Sequence, residues 1–398
     1  MPPGERTVFS MDFSSEECAL QLIEHGFWAF YSAETARDML LRRNPRRINI
    51  LTNADLFQLS KLFSDVDFRK GYDESAYLAR EHLPVRFFIS DYPVEKAVNI
   101  PGMVDLTKEA LRVAARHELF RINSFFYNIQ RGVFHDLLDS YTQLKRGVIK
   151  TVGDAAEASL RYPTIALKTV KLLSETGFVI DDKLRSFLEE HRNRAVYENL
   201  DEEMISDFID TVNSKNAETA ISLLDEWGIL ETLLPELARL KEVYHDKDHH
   251  PEGNAFTHTL RCLACVKEPN KNLMMAILLH DLGKATTKNN GSGFRFPDHA
   301  NESRKIADRV LRSWQFDERD RKEILYLVQN HMMINGIERR PEGFQNKFFS
   351  SPFFPNLLEL YRADVESTYT HVKNYYHVAR LYRKIKRKMK FHRQGVYG

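Results

Sequence analysis

The chain has 398 residues, 43% hydrophobic and 11% aromatic, with 57 Lys and Arg against 56 Asp and Glu. That composition excludes a disordered polypeptide, three cysteines (Cys18, Cys262, Cys265) are too few for a disulfide scaffold, and no apolar run reaches the roughly 20 residues that span a bilayer. The formal charge of +1 hides an asymmetry: residues 371–398 hold nine Lys or Arg and no Asp or Glu, leaving 48 basic against 56 acidic residues before them, so a polyanionic partner is expected.

In chain order, the opening "MPPGERTVFSMDFSSEE" lacks the apolar segment of a signal peptide, which with so few cysteines predicts a cytoplasmic protein. Strand-like stretches follow at 26–32 ("GFWAFYS"), 47–52 ("RINILT"), 85–90 ("VRFFIS") and 121–129 ("RINSFFYNI"), with helix-like "AETARDMLLRR" and "LFQLSKLF" between them. From about residue 138 helical spacing takes over. "TIALKTVKLLSETGF" places apolar residues at 165, 167, 170, 172 and 173 and a helix stop at Gly177. "EEMISDFIDTV" and "AETAISLLDEWGIL" continue in that style, and a third helical section opens near "LKEVYHDKDHHPEG". The prediction is an α+β protein: a small mixed-sheet head (1–137), an all-α neck (138–238), an all-α domain (239–370) and a basic helix or tail (371–398).

The third section carries the chemistry. "ILLHDLGK" sets His280 and Asp281 in an apolar helix, where an unpaired carboxylate would cost several kcal/mol. His258 lies in "AFTHTLRCLAC", and His299 opens a helix after Asp298, a predicted N-cap. His331 ends "RKEILYLVQNH" and Asp364 follows Leu357 and Leu360 in "NLLELYRADVES". Each belongs to the apolar side of its own helix, so four imidazoles and two carboxylates should converge on one core. Neutral imidazoles and carboxylates suit divalent cations; hydrogen-bonded core histidines are the alternative. Cys262 and Cys265 lack a second cysteine pair and read as helix packing. His245, His249 and His250 read as a solvated loop, with the rim of the cavity as the alternative.

This order resembles the HD superfamily of metal-dependent phosphohydrolases in its two-metal form. The resemblance implies His258, His280, Asp281 and Asp364 as the core ligands, with His299 and His331 as the two further ones. It also implies catalytic roles for Asp281 and for Lys284, which would hold a substrate phosphate, and one or two divalent ions: Mn, Ni, Co, Fe, Zn or Mg. By chemistry alone, two such ions would acidify a water and clamp a phosphoryl group, with Lys284 as an added point charge.

The earlier half, in "GFWAFYSAETARDMLLRRNPRRINILTNADLFQLSKLF" and "RINSFFYNIQRGVFHDLLDSYTQLKRGVIKTVGDAAEASLRYPTIALKTVKLLSETGF", resembles the tRNA nucleotidyltransferase and bacterial poly(A) polymerase family. With the HD region the resemblance spans about residues 20–370. Arg37 and Asp38 match that family's first motif, but Ala33 and Glu34 stand where it has its phosphate-cradling Gly-Gly turn. Arg47 and Asn49 stand where it has two metal-binding carboxylates. His117, Glu118 and Leu119 replace its Arg-Arg-Asp while Asn123 is kept, and Tyr162 and Ile165 replace its base-pairing Asp and Arg. The expectation is a retained fold with nucleotidyl transfer lost and no nucleotide site in the head.

Phosphate contacts need only positive charge and shape. Arg42, Arg43 and Arg46, beside Arg47, and Arg383, Lys386 and Arg387 of the tail are the candidate RNA-binding residues. For the tail, a packed helix with a solvated basic face or a membrane-surface helix are the alternatives. The expected function is a metal-dependent phosphohydrolase acting on a phosphoester of an RNA end, tRNA among them, or of a nucleotide. A non-catalytic RNA-binding adaptor and a nucleotidyltransferase with a diverged site are the rivals.

Overall fold

The computed structural model describes residues 13–70, 74–78, 85–89, 103–191, 200–244, 253–287, 296–368 and 373–394. The chain divides into two compact units, Met1–Ile165 with Phe178–Glu190, and Ala166–Gly177 with His191–Gly398.

The first unit is built on a sheet of seven described strands: β1 (Ala29–Tyr31), β2 (Ile48–Thr52), β3 (Val66–Lys70), β4 (Glu74–Leu78), β5 (Val85–Ile89), β6 (Phe125–Asn128) and β7 (Val133–Asp136). Their order is β3-β4-β5-β2-β1-β6-β7, with β2 and β5 parallel and the other pairs antiparallel. Side chains alternate across a strand, and the two faces are sorted accordingly. Ala29, Tyr31, Ile48 and Ile50 face a core with Cys18 and Leu22 of the helix Phe13–Glu24 and Met39 of the helix Ala33–Leu40. Trp28, Phe30, Leu51 and Phe126 face Ala110, Leu111 and Ala115 of the helix Met103–His117. The 121–129 stretch is a strand only from Phe125; Arg121–Asn123 form a 3-10 turn, because the Asn123 side chain accepts from Arg37 Nη1 (3.2 Å) and Ser124 turns back on Arg121. A short parallel pair, β8 (Val148–Ile149) with β9 (Val179–Ile180), interrupts the helical run that follows.

The second unit is helical. Its centre is Lys271–Leu279, started by Asn270, whose side chain accepts from Leu273 N. Leu273, Met274, Met275, Ala276, Ile277, Leu278 and Leu279 are all buried, so this helix is apolar all round, as a helix ringed by others must be. At about 1.5–3 kcal/mol for each large side chain, its burial contributes on the order of 10 kcal/mol. The helices Glu202–Val212, Ala255–Ala264, Glu318–Asn330 and Phe354–Thr368 pack against it. No described helix is long and apolar enough to cross a membrane.

Candidate metal centre

Each of the six predicted ligands stands at a helix end or on a helix beside this central segment. His280 is the residue at which Lys271–Leu279 stops, and Asp281 precedes the 3-10 turn Leu282–Ala285. His258 lies in Ala255–Ala264, which Asn254 caps by accepting from Thr257 N. His299 begins His299–Ser313, His331 follows Glu318–Asn330, and Asp364 lies in Phe354–Thr368. Asp298 occupies the predicted N-cap position, but its backbone is left-handed (φ 62°) and its side chain caps nothing; it accepts instead from Asn301 Nδ2.

The six side chains meet. His258 Nε2 is 3.1 Å from Asp364 Oδ1. One Asp281 oxygen, Oδ2, lies 3.3 Å from His280 Nε2 and 3.9 Å from His258 Nε2. Its other oxygen, Oδ1, lies 3.5 Å from His299 Nε2 and 3.9 Å from His331 Nε2. The carboxylate therefore spans two donor groups: His258, His280 and Asp364 on one side, His299 and His331 on the other. His258, His280, Asp281 and His331 are at most 2% exposed.

The protonation pattern decides what belongs between them. Nδ1 of His280, His299 and His331 faces the carbonyl of Ile277 (2.7 Å), Phe296 (2.9 Å) and Val328 (2.7 Å). A carbonyl only accepts, so each Nδ1 carries a proton and each ring turns its Nε2 inward. Burial pushes the His331 pKa down to about 3, helped by His280, and lowers that of His299 as well, so neither ring gains a second proton near neutrality. Yet their Nε2 atoms stand 3.2 Å apart. Two lone pairs facing each other at that distance need a cation, and two nitrogens on one tetrahedral ion at about 2.0–2.1 Å would be about 3.3 Å apart. His280 Nε2 and Asp281 Oδ1 are buried with no hydrogen-bond partner among the described residues. Burial opposes ionisation of Asp281 and Asp364, but His280 and Lys284 hold the first carboxyl well below the usual range, and His258 holds the second there. Neutral imidazoles, ionised carboxylates and orphaned inward atoms are the donor set a divalent ion requires.

Lys284 Nζ lies 2.6 Å from Asp281 Oδ2, which sets a cationic head group beside the cluster. Two residues escaped the sequence reading. Cys262, taken as packing, brings its Sγ to 3.5 Å from His258 Nε2, and Ser367 Oγ lies 3.3 Å from His258 Nδ1. The available signal was helical spacing: Cys262 follows His258 by four and Ser367 follows Asp364 by three. His245, His249 and His250 lie outside the described residues.

The head offers a different chemistry. Ala33 keeps a positive φ of 48°, a conformation that suits glycine. Glu34 lies 3.5 Å from Arg47 Nε. Arg37 pairs with Asp38 (2.8 Å) and with Asn123, so these retained residues tie a helix to a turn. Asn49 is 1% exposed, its side-chain amide has no hydrogen-bond partner among the described residues, and across the parallel pair it is in register with Arg86. Tyr162 donates its hydroxyl proton to the His117 carbonyl (2.6 Å), and Ile165 is buried. Arg42, Arg43 and Arg46 are exposed in the first unit; Arg383, Lys386 and Arg387 are exposed on the helix Lys373–Gln394 of the second, whose Val378 and Ile385 are buried.

Residues 255–364 match the HD domain family. The chain is similar to the multifunctional CCA protein of Pasteurella multocida, 29% identical over 167 residues and 39% of each chain. It is also similar to that of Halorhodospira halophila, 45% identical over 69 residues and 17% of each. It thus spans about two fifths, or less, of the curated relatives it matches. Among solved structures, that of the Bacillus stearothermophilus CCA-adding enzyme in complex with CTP aligns with 96% of this chain and 83% of its own, at 17% identity and a TM-score of 0.58.

Proposed function

We propose that this chain, a relative of the CCA-adding tRNA nucleotidyltransferases with a C-terminal HD domain, is a cytoplasmic metal-dependent phosphohydrolase acting on a phosphoester of an RNA end or a nucleotide. The chemistry belongs to residues 239–370; the head (1–137), the neck (138–238) and the basic tail (371–398) present the substrate. One observation carries the reading: the Asp281 carboxylate is split between two groups of inward Nε2 atoms, and within it His280 Nε2 and Asp281 Oδ1 have no hydrogen-bond partner among the described residues.

Divalent ions held there by His258, His280, Asp281, His299, His331 and Asp364 would polarise a phosphoryl oxygen and acidify a water. Asp281 orients both halves of the centre, and Lys284 adds positive charge where a phosphate would lie. A 2′,3′-cyclic phosphate or a terminal phosphate of RNA suits such a site. Arg42, Arg43, Arg46, Arg383, Lys386 and Arg387 would hold the nucleic-acid backbone through charge.

Hydrolysis of bis(4-nitrophenyl) phosphate with added Mn²⁺, Ni²⁺ or Co²⁺ tests this. The full chain should turn it over, and His280→Ala combined with Asp281→Ala should abolish turnover. Activity surviving that double change refutes the assignment.

A second reading, nucleotidyl transfer by a diverged head, is favoured by the relatives, whose names and fold point to CCA addition more directly than to hydrolysis. Against it stand Arg47 and the buried Asn49, which offer no anionic ligand for Mg²⁺. Incubation with labelled ATP or CTP, Mg²⁺ and tRNA separates the two: incorporation establishes the second. RNA binding without any turnover would leave an adaptor whose ions brace the helices.

A further inference from the structure

We infer that Cys262 is a ligand of the metal centre, completing a sulfur-containing half with His258, His280 and Asp364. The inference rests on the metal-centre reading above and adds a donor to it. His258, Cys262, His280 and Asp364 each offer one donor atom, and these four lie within 4.8 Å of one another. Cys262 is 1% exposed and one helical turn after His258, so both side chains leave the same face of Ala255–Ala264.

The distances suit one shared ion. Bonds of about 2.3 Å to sulfur and about 2.0–2.1 Å to nitrogen, at a tetrahedral angle, put those two atoms about 3.5–3.6 Å apart; Cys262 Sγ and His258 Nε2 are 3.5 Å apart. His280 contributes a buried Nε2 with no hydrogen-bond partner among the described residues. Ser367 supports the set from behind: its Oγ donates to the Asp364 carbonyl (2.7 Å) and lies 3.2 Å from Cys262 Sγ and 3.3 Å from His258 Nδ1. One hydroxyl thus touches three of the four ligand-bearing residues, as an orienting neighbour does.

The other half, Asp281 with His299 and His331, has only nitrogen and oxygen donors. The two halves therefore differ in softness. The sulfur-containing half should select Zn²⁺, Co²⁺ or Fe²⁺ over Mg²⁺ or Mn²⁺. Binding replaces the S–H bond by a metal–sulfur bond and releases the proton to solvent.

Cobalt substitution tests this in the full chain. Co²⁺-loaded protein should show thiolate-to-cobalt charge transfer in the near ultraviolet. Cys262→Ser should lose that band and weaken one cobalt site at least about tenfold in chelator competition, with a thermal melt confirming that the variant folds. If it does not fold, a band that persists when Cys18 and Cys265 are both replaced by Ser assigns the thiolate to Cys262, and a band lost there overturns the inference. Bound cobalt without the band, or a band that survives Cys262→Ser, overturns the cysteine inference and leaves the metal centre standing. No bound cobalt at all overturns the metal centre itself.

Discussion

Gly283→Ala is the sharpest structural perturbation of the centre, although Gly283 donates nothing to a metal. A Cβ built there would lie 2.4 Å from the His299 carbonyl oxygen, 2.5 Å from Ser303 N and 2.8 Å from Glu302 Cβ. Ordinary carbon contacts need about 3.5 Å, and two of these neighbours are backbone atoms that no rotamer change can move. The turn Leu282–Ala285 and the start of His299–Ser313 must separate by about 1 Å, stretching the 2.8 Å bond from Gly283 N to Ser303 Oγ. Overpacking of this kind costs about 1–3 kcal/mol.

The larger effect falls on the centre, because the two segments carry Asp281 and His299. Their donors, now 3.5 Å apart, would open to about 4.5 Å, whereas two bonds of about 2.1 Å reach at most about 4.2 Å. Urea unfolding should report the stability loss, and metal analysis should report depletion of the half built on His299 and His331. The His258–Asp364 pair should keep its ion. A variant with wild-type stability and wild-type metal content refutes the reasoning.

Three other substitutions probe separate parts of the fold. Ala33→Gly should be neutral to stabilising, by about 0.5 kcal/mol, because relief of a left-handed residue offsets the added unfolded-state entropy; a loss of about 1 kcal/mol in urea unfolding, the usual outcome inside a helix, contradicts this. Lys168 lies 2.7 Å from Glu203 and 3.3 Å from Asp207, and although burial lowers its pKa, those carboxylates raise it overall. Lys168→Met should therefore cost roughly 2 kcal/mol, allowing for its partial exposure. Since the folded value lies above the unfolded one, that contribution is complete below the ordinary lysine pKa of about 10.4 and fades as pH rises through the raised value; a wild-type-minus-variant difference that grows with alkaline pH contradicts the sign. Replacing Arg383, Lys386 and Arg387 together by Gln should lower the slope of log affinity for RNA against log salt by about 2 to 3, and an unchanged slope removes the tail from the interface.

The convergence of the six His and Asp side chains was readable because each interrupts an apolar helical pattern, and a buried charge needs a reason. The strands at 29–31, 48–52 and 85–89 were readable from short runs rich in apolar and β-branched residues, as a sheet buried largely on both faces requires. β7 was not: its burial pattern is mostly partial or exposed, so Val133–Asp136 carries little apolar signal. The proximity of Cys262 to Asp364 and His280 was not legible, because a cysteine on an apolar face is ordinarily packing and Asp364 arrives from a helix about 100 residues later. Gly283 was passed over because its constraint is a close approach by another helix, which local spacing does not encode. In the head, Tyr162 and Asn49 showed in sequence what had been replaced; that Tyr162 now bonds the His117 carbonyl, and that Asn49 is buried beside Arg86 in register, depends on pairing between distant segments.

Elemental analysis of the purified full chain after exposure to Mn²⁺, Co²⁺ or Zn²⁺ and removal of excess metal tests the central claim most directly. About two divalent ions per chain are expected, falling to none when His280 and Asp281 are both replaced by Ala. A chain that retains no ion, or a double variant that keeps the full complement, contradicts it.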